Sequence, residues 1–414
     1  MSTSKRRRGL RVAGRTAVAL ASAATLFATG FGWTLQQRID NSRVTSDAVT
    51  SSRPVRLGEA FTALLVGLDA RTDAAGNPLP QATLDAMHAG PDEGQLHTDT
   101  IILLHVPAEP GAAAVAVSIP RDSFVEIAGS REKHKINSAY RRGMQDVERA
   151  LSAQGFSGAD LERRAREGGR RTLVATVEAL TGESIDHFAE INLAGFLELT
   201  DSLGGVPVCL NEPARDSYSG LDLPAGEQTV RGASALAFVR QRHGLEGGDL
   251  DRIARQQAFA AGLAQRLRST GVLTDPSRLA GLVDLATRFV VLDRGWDLDE
   301  AVTQFSRLAV DELTFRTIPT GRPDLETPVD GVAVEIDTDT VKEFVQSVVR
   351  GTPVAGTATS APPTAGPTAG PTTGPSAPTS APPTADPAAA PTTTAVPTTT
   401  AERVITAAGV PCVD

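Results

Sequence analysis

The sequence predicts an α/β or α+β sandwich in which helices cover a central sheet. Two observations carry that expectation. Between about residues 59 and 350, short apolar runs of strand length alternate with segments of helical period. With 414 residues, 41% of them apolar and 21% charged, the chain is globular in composition and long enough for a sizeable core. Aromatics at 4%, beside 38 Gly and 27 Pro, indicate that part of the chain stays outside that core.

The elements follow in order. Residues 1–15 carry Lys5, Arg6, Arg7, Arg8, Arg11 and Arg15 and no acid, and residues 16–35 carry no charge at all. A helix of that length spans about 30 Å, one hydrocarbon core. Residues 1–15 are therefore expected as a cytoplasmic arm and 16–35 as a signal-anchor helix in the plasma membrane. Everything after Leu35 then lies outside, with Trp33 at the outer interface. A cleaved signal peptide ending near Ala21-Ser22-Ala23 is the alternative, but the apolar run continues well past that site. Residues 36–58 read as a juxtamembrane linker.

Phe61-Thr-Ala-Leu-Leu-Val-Gly67, Thr100-Ile-Ile-Leu-Leu-His-Val106 and Ala113-Ala-Val-Ala-Val-Ser-Ile119 read as buried strands. Residues 142–170 are charged and Gly-bearing and read as a surface insertion. Residues 170–180 have helical spacing, 185–191 look like a strand, and 193–203 look like a helix closed by Gly204-Gly205. Residues 233–240 fit helix or strand. Asp249 reads as the N-cap of a helix reaching Arg268. Residues 351–401 are almost wholly Ala, Pro, Thr, Gly and Ser. They cannot bury enough apolar surface to offset ordering entropy, so a disordered linker is expected there. Residues 402–414 regain apolar character and include Cys412.

The net charge of −9 excludes a whole-chain nucleic-acid binder, since phosphate neutralisation needs a broad basic surface. The two cysteines, Cys209 and Cys412, exclude a zinc finger or a disulfide-dense scaffold. Outside the membrane they are candidates for one disulfide, two unpaired thiols being the alternative. No Walker or dinucleotide glycine loop and no Gly-x-Ser-x-Gly elbow occurs, and the six histidines show no metal-ligand spacing.

The polar residues of interest sit where apolar strands end, the usual place for a ligand site in α/β folds. Asp69 and Arg71 follow the first strand, Asp99 precedes the second, and Arg121 and Asp122 follow the third. Two carboxylates facing one cleft repel unless they share a cation, and Mg²⁺ prefers one or two carboxylates plus phosphate oxygens. Taken singly, each Asp is more often a turn former or a helix cap. Arg240 and Arg242 lie two apart, which on an extended segment puts both on one face, and paired guanidinium forks suit a diphosphate. Solvated charges at a strand end are the plain alternative. Arg252 and Gln256 are four apart and share a helix face, and Lys135 with Asn137 adds a further phosphate contact.

Together these segments resemble the LytR-CpsA-Psr family of bacterial cell-wall glycopolymer ligases. The matching pieces are Leu65-Val-Gly-Leu-Asp-Ala-Arg71, Thr98-Asp-Thr100, Ser118-Ile-Pro-Arg-Asp122 and Lys135-Ile-Asn137. They continue with Ile185-Asp-His-Phe-Ala-Glu-Ile-Asn192, Gly204-Gly-Val-Pro-Val208 and Ser219-Gly-Leu-Asp-Leu-Pro-Ala-Gly226. Ala235-Leu-Ala-Phe-Val-Arg-Gln-Arg242 and Gly248-Asp-Leu-Asp-Arg-Ile-Ala-Arg-Gln-Gln257 complete the set. The resemblance implies an α/β sandwich with a central mixed β-sheet covered by helices and a hydrophobic polyprenyl pocket, spanning 59–350 outside the membrane. It implies transfer of a glycan from a polyprenyl-diphosphate donor to a peptidoglycan acceptor through a phosphodiester, with release of polyprenyl phosphate. Asp69 and Asp99 match the carboxylates for Mg²⁺, or another divalent cation such as Mn²⁺. Arg121, Arg240 and Arg242 match the catalytic clamp with Asp122 beside it, and Lys135, Arg252, Gln256 and Arg71 match the remaining diphosphate contacts. Two departures stand out: His97 where the family usually has Arg or Asn, and a 142–170 stretch longer than usual, which alters the expected rim of the cleft. A polyprenyl-diphosphate hydrolase and a non-catalytic lipid- or peptidoglycan-binding scaffold are the alternative functions.

Overall fold

The computed structural model describes residues 45–49, 58–73, 76–90, 96–109, 111–130, 132–241, 243–245, 247–271, 289–296, 310–351 and 404–414. The arm at 1–15, the anchor run at 16–35, residues 352–401 of the Pro/Thr/Ala-rich stretch and Arg242 lie outside the described residues. Among those described, no helix is long and apolar enough to cross a membrane.

The strands are Thr45–Ser46 (β1), Phe61–Asp69 (β2), His97–Val106 (β3), Val115–Ser118 (β4), Ser123–Glu126 (β5), Lys133–Lys135 (β6), His187–Asn192 (β7), Val206–Leu210 (β8) and Ala214–Asp216 (β9). Leu221–Leu223 (β10), Gly226–Val230 (β11), Val290–Asp293 (β12), Thr314–Thr317 (β13), Leu325–Thr327 (β14), Gly331–Glu335 (β15), Ile405–Thr406 (β16) and Cys412–Val413 (β17) follow. The helices are Gln81–Ala86 (α1), Ala139–Ser152 (α2), Gly158–Thr181 (α3), Leu193–Ser202 (α4), Gly232–Arg240 (α5), Asp249–Ser269 (α6) and Thr338–Val349 (α7).

Eight strands form the central mixed sheet in the order β1-β12-β7-β2-β3-β4-β13-β16. The alternation of side chains along β2 divides the core in two. Leu64, Val66 and Leu68 enter one half with Tyr140, Leu173 and Val177 of the α2–α3 pair and Phe344 of α7. Phe61 and Ala63 enter the other, with Phe238 of α5, Ala258 and Phe259 of α6, and Phe315 of β13. Helices therefore cover both faces of the sheet, the sandwich that the alternating pattern implies.

Residues 142–170, read from the sequence as a surface insertion, instead belong to a helical hairpin. Glycines let α2 and α3 approach closely: a Cβ on Gly143 would sit 2.1 Å from the Thr172 hydroxyl, and one on Gly169 2.6 Å from the Tyr140 carbonyl oxygen. Charges inside the hairpin are paired, with buried Arg170 donating Nε to Glu190 Oε2 and Nη2 to Glu190 Oε1, each at 3.0 Å. Within the stretch read as linker, Thr45–Ser46 pairs in parallel with Leu292 and Asp293, and the Ser46 hydroxyl donates to Glu167 at 2.9 Å. At the other end, β16 pairs with β13, β17 pairs with β8, and a disulfide joins Cys209 to Cys412.

Candidate functional site

The site begins where β2 ends. The β2–β3 register shifts between Gly67 and Leu68, a bulge that re-aims the end of the strand. Gly67 eases the close approach there, since a Cβ would lie 3.0 Å from Thr100 Cβ. Beyond the bulge Asp69 stands opposite His97. Residues two apart on a strand share a face, so Asp99 projects beside His97 while Thr98 turns inward, its hydroxyl donating to the Asn137 carbonyl at 3.4 Å.

The chain leaves β4 through Ile119-Pro120 and presents Arg121 and Asp122 before entering β5. Arg121 Nη1 donates to Asp99 Oδ1 in an ion pair. Asp122 Oδ1 lies 3.6 Å from Arg121 Nε and 3.4 Å from Lys135 Nζ, so one carboxylate is flanked by two cations. Lys135 ends β6, whose pairing with Phe124 brings it there.

The opposite wall comes from α5 and α6. Arg240 is the last residue of α5, and Gln241, at φ −52° and ψ 136°, leaves the helix. The extended reading of 240–242 is therefore corrected at Arg240, which gains its position from a helix end. Its Nη1 donates to the Met87 carbonyl at 3.3 Å. Gly248, at φ +59°, precedes α6, and Asp249 is the first helical residue rather than the cap, because the tight entry needs a left-handed conformation. Arg252 pairs with Asp249, and Gln256, one turn further on, donates to the Val239 carbonyl at 3.4 Å.

One cavity of about 850 Å³ is lined by the candidate side chains. Asp69, Asp99, Arg121, Asp122, Lys135, Arg240, Arg252, Gln256 and Arg71 thus converge, leaving Arg242 as the candidate outside the described residues. One wall of the cavity is apolar. Phe196 and Leu199 of α4, Leu236 and Val239 of α5, and Phe259 and Leu263 of α6 extend it away from the charged end. The rings of Phe196 and Phe259 close the wall with centroids 5.0 Å apart. Sequence reasoning did not reach this wall. The i, i+3 and i, i+4 spacing of its residues was the available signal, but core-facing helices carry the same spacing.

Burial, and after it the adjacent carboxylate of Asp99, push the Asp69 carboxyl above its ordinary range, against the opposing pull of Arg240 and Arg71. Burial works against the charge of Arg121, but Asp99, Asp122 and Asp249 outweigh it and raise that guanidinium above its usual value. Asp69 Oδ1 is buried and makes no hydrogen bond. Among the described residues no three His, Cys, Asp or Glu side chains are grouped to enclose a metal ion. Two facing carboxylates, one with an unused oxygen, instead suit a hard cation that takes its remaining ligands from phosphate and water.

The LytR_cpsA_psr family model matches residues 32–346. The cell wall biosynthesis protein LcpA of Corynebacterium glutamicum is 40% identical over 341 residues, 81% of this chain and 65% of LcpA. The chain thus spans slightly less than two thirds of that relative. The polyisoprenyl-teichoic acid–peptidoglycan teichoic acid transferase TagU of Bacillus subtilis is 25% identical over 64% of this chain and 70% of its own. Among solved structures, B. subtilis TagV aligns with a TM-score of 0.51 at 21% identity, covering 72% of this chain and 98% of TagV, a likeness of fold.

Proposed function

The chain belongs to the LytR-CpsA-Psr family, and from that premise we propose that it moves a glycopolymer from a polyprenyl-diphosphate carrier to peptidoglycan through a phosphodiester, releasing polyprenyl phosphate. Its relatives are cell wall biosynthesis proteins and teichoic acid transferases. The observation that carries the reading is a cavity that combines guanidinium and ammonium groups with a wall of apolar helix faces. A diphosphate attached to a long hydrocarbon is amphipathic in that same sense.

Arg121, Arg240, Arg252 and Lys135 would hold the diphosphate, with Gln256 and Arg71 beside them. Fixed cations in a cleft of low dielectric stabilise charge that builds on the departing polyprenyl phosphate without having to reorganise. Asp69 and Asp99 fit a divalent cation, which when bound supplies further neutralisation of the diphosphate. The nucleophile would be a muramic-acid hydroxyl held in line with the sugar-proximal phosphorus. Asp122, lying between Arg121 and Lys135, is placed to hold those two cations.

The extracytoplasmic, membrane-anchored placement belongs to the same proposal. The basic arm and uncharged run at 1–35 support it, as does a disulfide that persists in an oxidising compartment. The test uses the full chain, because residues beyond 404 are built into the sheets. It is incubated with a polyprenyl-diphosphate oligosaccharide and Mg²⁺, with and without peptidoglycan, and polyprenyl monophosphate and acceptor labelling are followed. Labelled acceptor is expected. Monophosphate released at the same rate without acceptor makes the protein a hydrolase, and lipid binding without turnover makes it a scaffold.

A further inference from the structure

One feature of the cavity mouth takes no part in holding a diphosphate. The hairpin of β9 and β10 carries Tyr218 at its tip, and this side chain is 73% exposed although large apolar side chains are otherwise mostly covered. It is not loose. Its ring stacks on that of His243, centroids 4.2 Å apart and planes inclined by 26°. Buried Asp216 holds the turn beneath, its Oδ1 accepting from the Tyr218 amide and its Oδ2 from the Ser219 hydroxyl, both at 2.9 Å. His243 is secured from the other side, where buried Gln241 donates Nε2 to its carbonyl at 2.8 Å. Asp216, Tyr218, Ser219 and His243 line the same cavity as Arg240 and Arg252.

We propose that Tyr218 and His243 form a stacking platform for a pyranose ring of the glycan, placed at the open end of the cleft. A sugar ring offers an apolar C–H face bordered by hydroxyls, and a fixed aromatic face with polar groups around it matches both parts. The hydrocarbon has its own place along the apolar walls of α4, α5 and α6, whereas the platform sits among Asp216, Ser219 and an imidazole. A pre-stacked pair also loses little side-chain entropy when a ring settles on it. The inference rests on the proposed transferase reading and deepens it by assigning the sugar a site. The ring comes either from the donor's carried glycan or from the peptidoglycan strand.

The first measurement avoids turnover, so that it stands whether or not transfer is detected. A soluble tetramer of N-acetylglucosamine is titrated into the full chain and into Tyr218→Ala, Tyr218→Phe and His243→Ala, with saturation-transfer NMR as readout. Wild-type and Tyr218→Phe are expected to bind alike, and Tyr218→Ala about three- to tenfold more weakly. Farnesyl diphosphate, which carries no sugar, serves in parallel to tell a lost platform from a damaged cavity. In the transfer reaction, a KM rise for the glycan-bearing donor assigns the ring to the carried polymer, and a rise for peptidoglycan assigns it to the acceptor. Equal tetramer binding by wild-type and both alanine variants, or no binding by wild-type at millimolar concentration, overturns the platform.

Discussion

Arg121 stays charged in a place that disfavours charge, because three carboxylates surround it while Asp99 and Asp122 engage it directly. Its truncation would remove a diphosphate contact and leave Asp99 without its ion-pair partner. Arg121→Ala and Arg240→Ala are each expected to lower transfer at least about a hundredfold, the usual loss for one charge-stabilising donor at a reacting centre. Both should retain a cooperative melt, since neither side chain belongs to the apolar cores. Arg121→Lys should recover little, because an ammonium cannot reproduce a fork that meets Asp99 and a phosphate together. Acceptor labelling and thermal unfolding check this, and full activity in either alanine variant would remove the clamp from the mechanism. These residues were legible because strand ends and short motifs mark them. The position of Asp122 between two cations was not, because it depends on β6 folding back against β5 to return Lys135. Tyr218 gave no sequence signal either, since exposure is a tertiary property.

At the scale of elements, the α2–α3 hairpin shows where local reading runs out. Its charges hide the helical period, and its buried Arg170 makes sense only beside Glu190 of β7, a partner from the sheet. Four strands of the central sheet, β2, β3, β4 and β7, were by contrast visible as apolar runs, and only their ends moved; β3, for instance, begins at His97 rather than Thr100. The glycines set up a contest that can be measured. Alanine in place of Gly169 gains about 1 kcal/mol in helix propensity. It also drives a Cβ to within 2.6 Å of the Tyr140 carbonyl, a backbone atom that cannot swing aside. Overpacking of that kind costs about 1–3 kcal/mol, so sterics should prevail. Gly169→Ala is expected to lower the urea midpoint, whereas a neutral or stabilised variant would show that α2 and α3 separate freely.

For the molecule as a whole, the informative segment is the last one described. The sequence marked residues 402–414 as apolar and Cys412 as a candidate partner for Cys209, but nothing local said where the segment docks. It adds β16 to the edge of the central sheet beside β13 and β17 to the outer sheet beside β8, so it covers strand edges that would otherwise be open. Arg255 of α6 donates Nε to the main-chain oxygen of Asp414 at 2.6 Å and also bonds Gln241, the residue after Arg240. The disulfide links positions 203 residues apart, and two strands of two residues each make few hydrogen bonds of their own. The covalent link should therefore set how firmly the segment stays in place. Cys412→Ser, or reduction of the wild type, is expected to cost about 2–5 kcal/mol, the range for loss of a native disulfide closing a long loop. Hydrogen exchange should rise first at β8, β13 and β16, where the segment pairs, and less in β2 and β3 at the centre of the sheet. Unchanged melting in Cys412→Ser would mean that strand pairing alone seats the segment. Uniform exchange throughout the sheet would mean that it supports the whole fold rather than those edges.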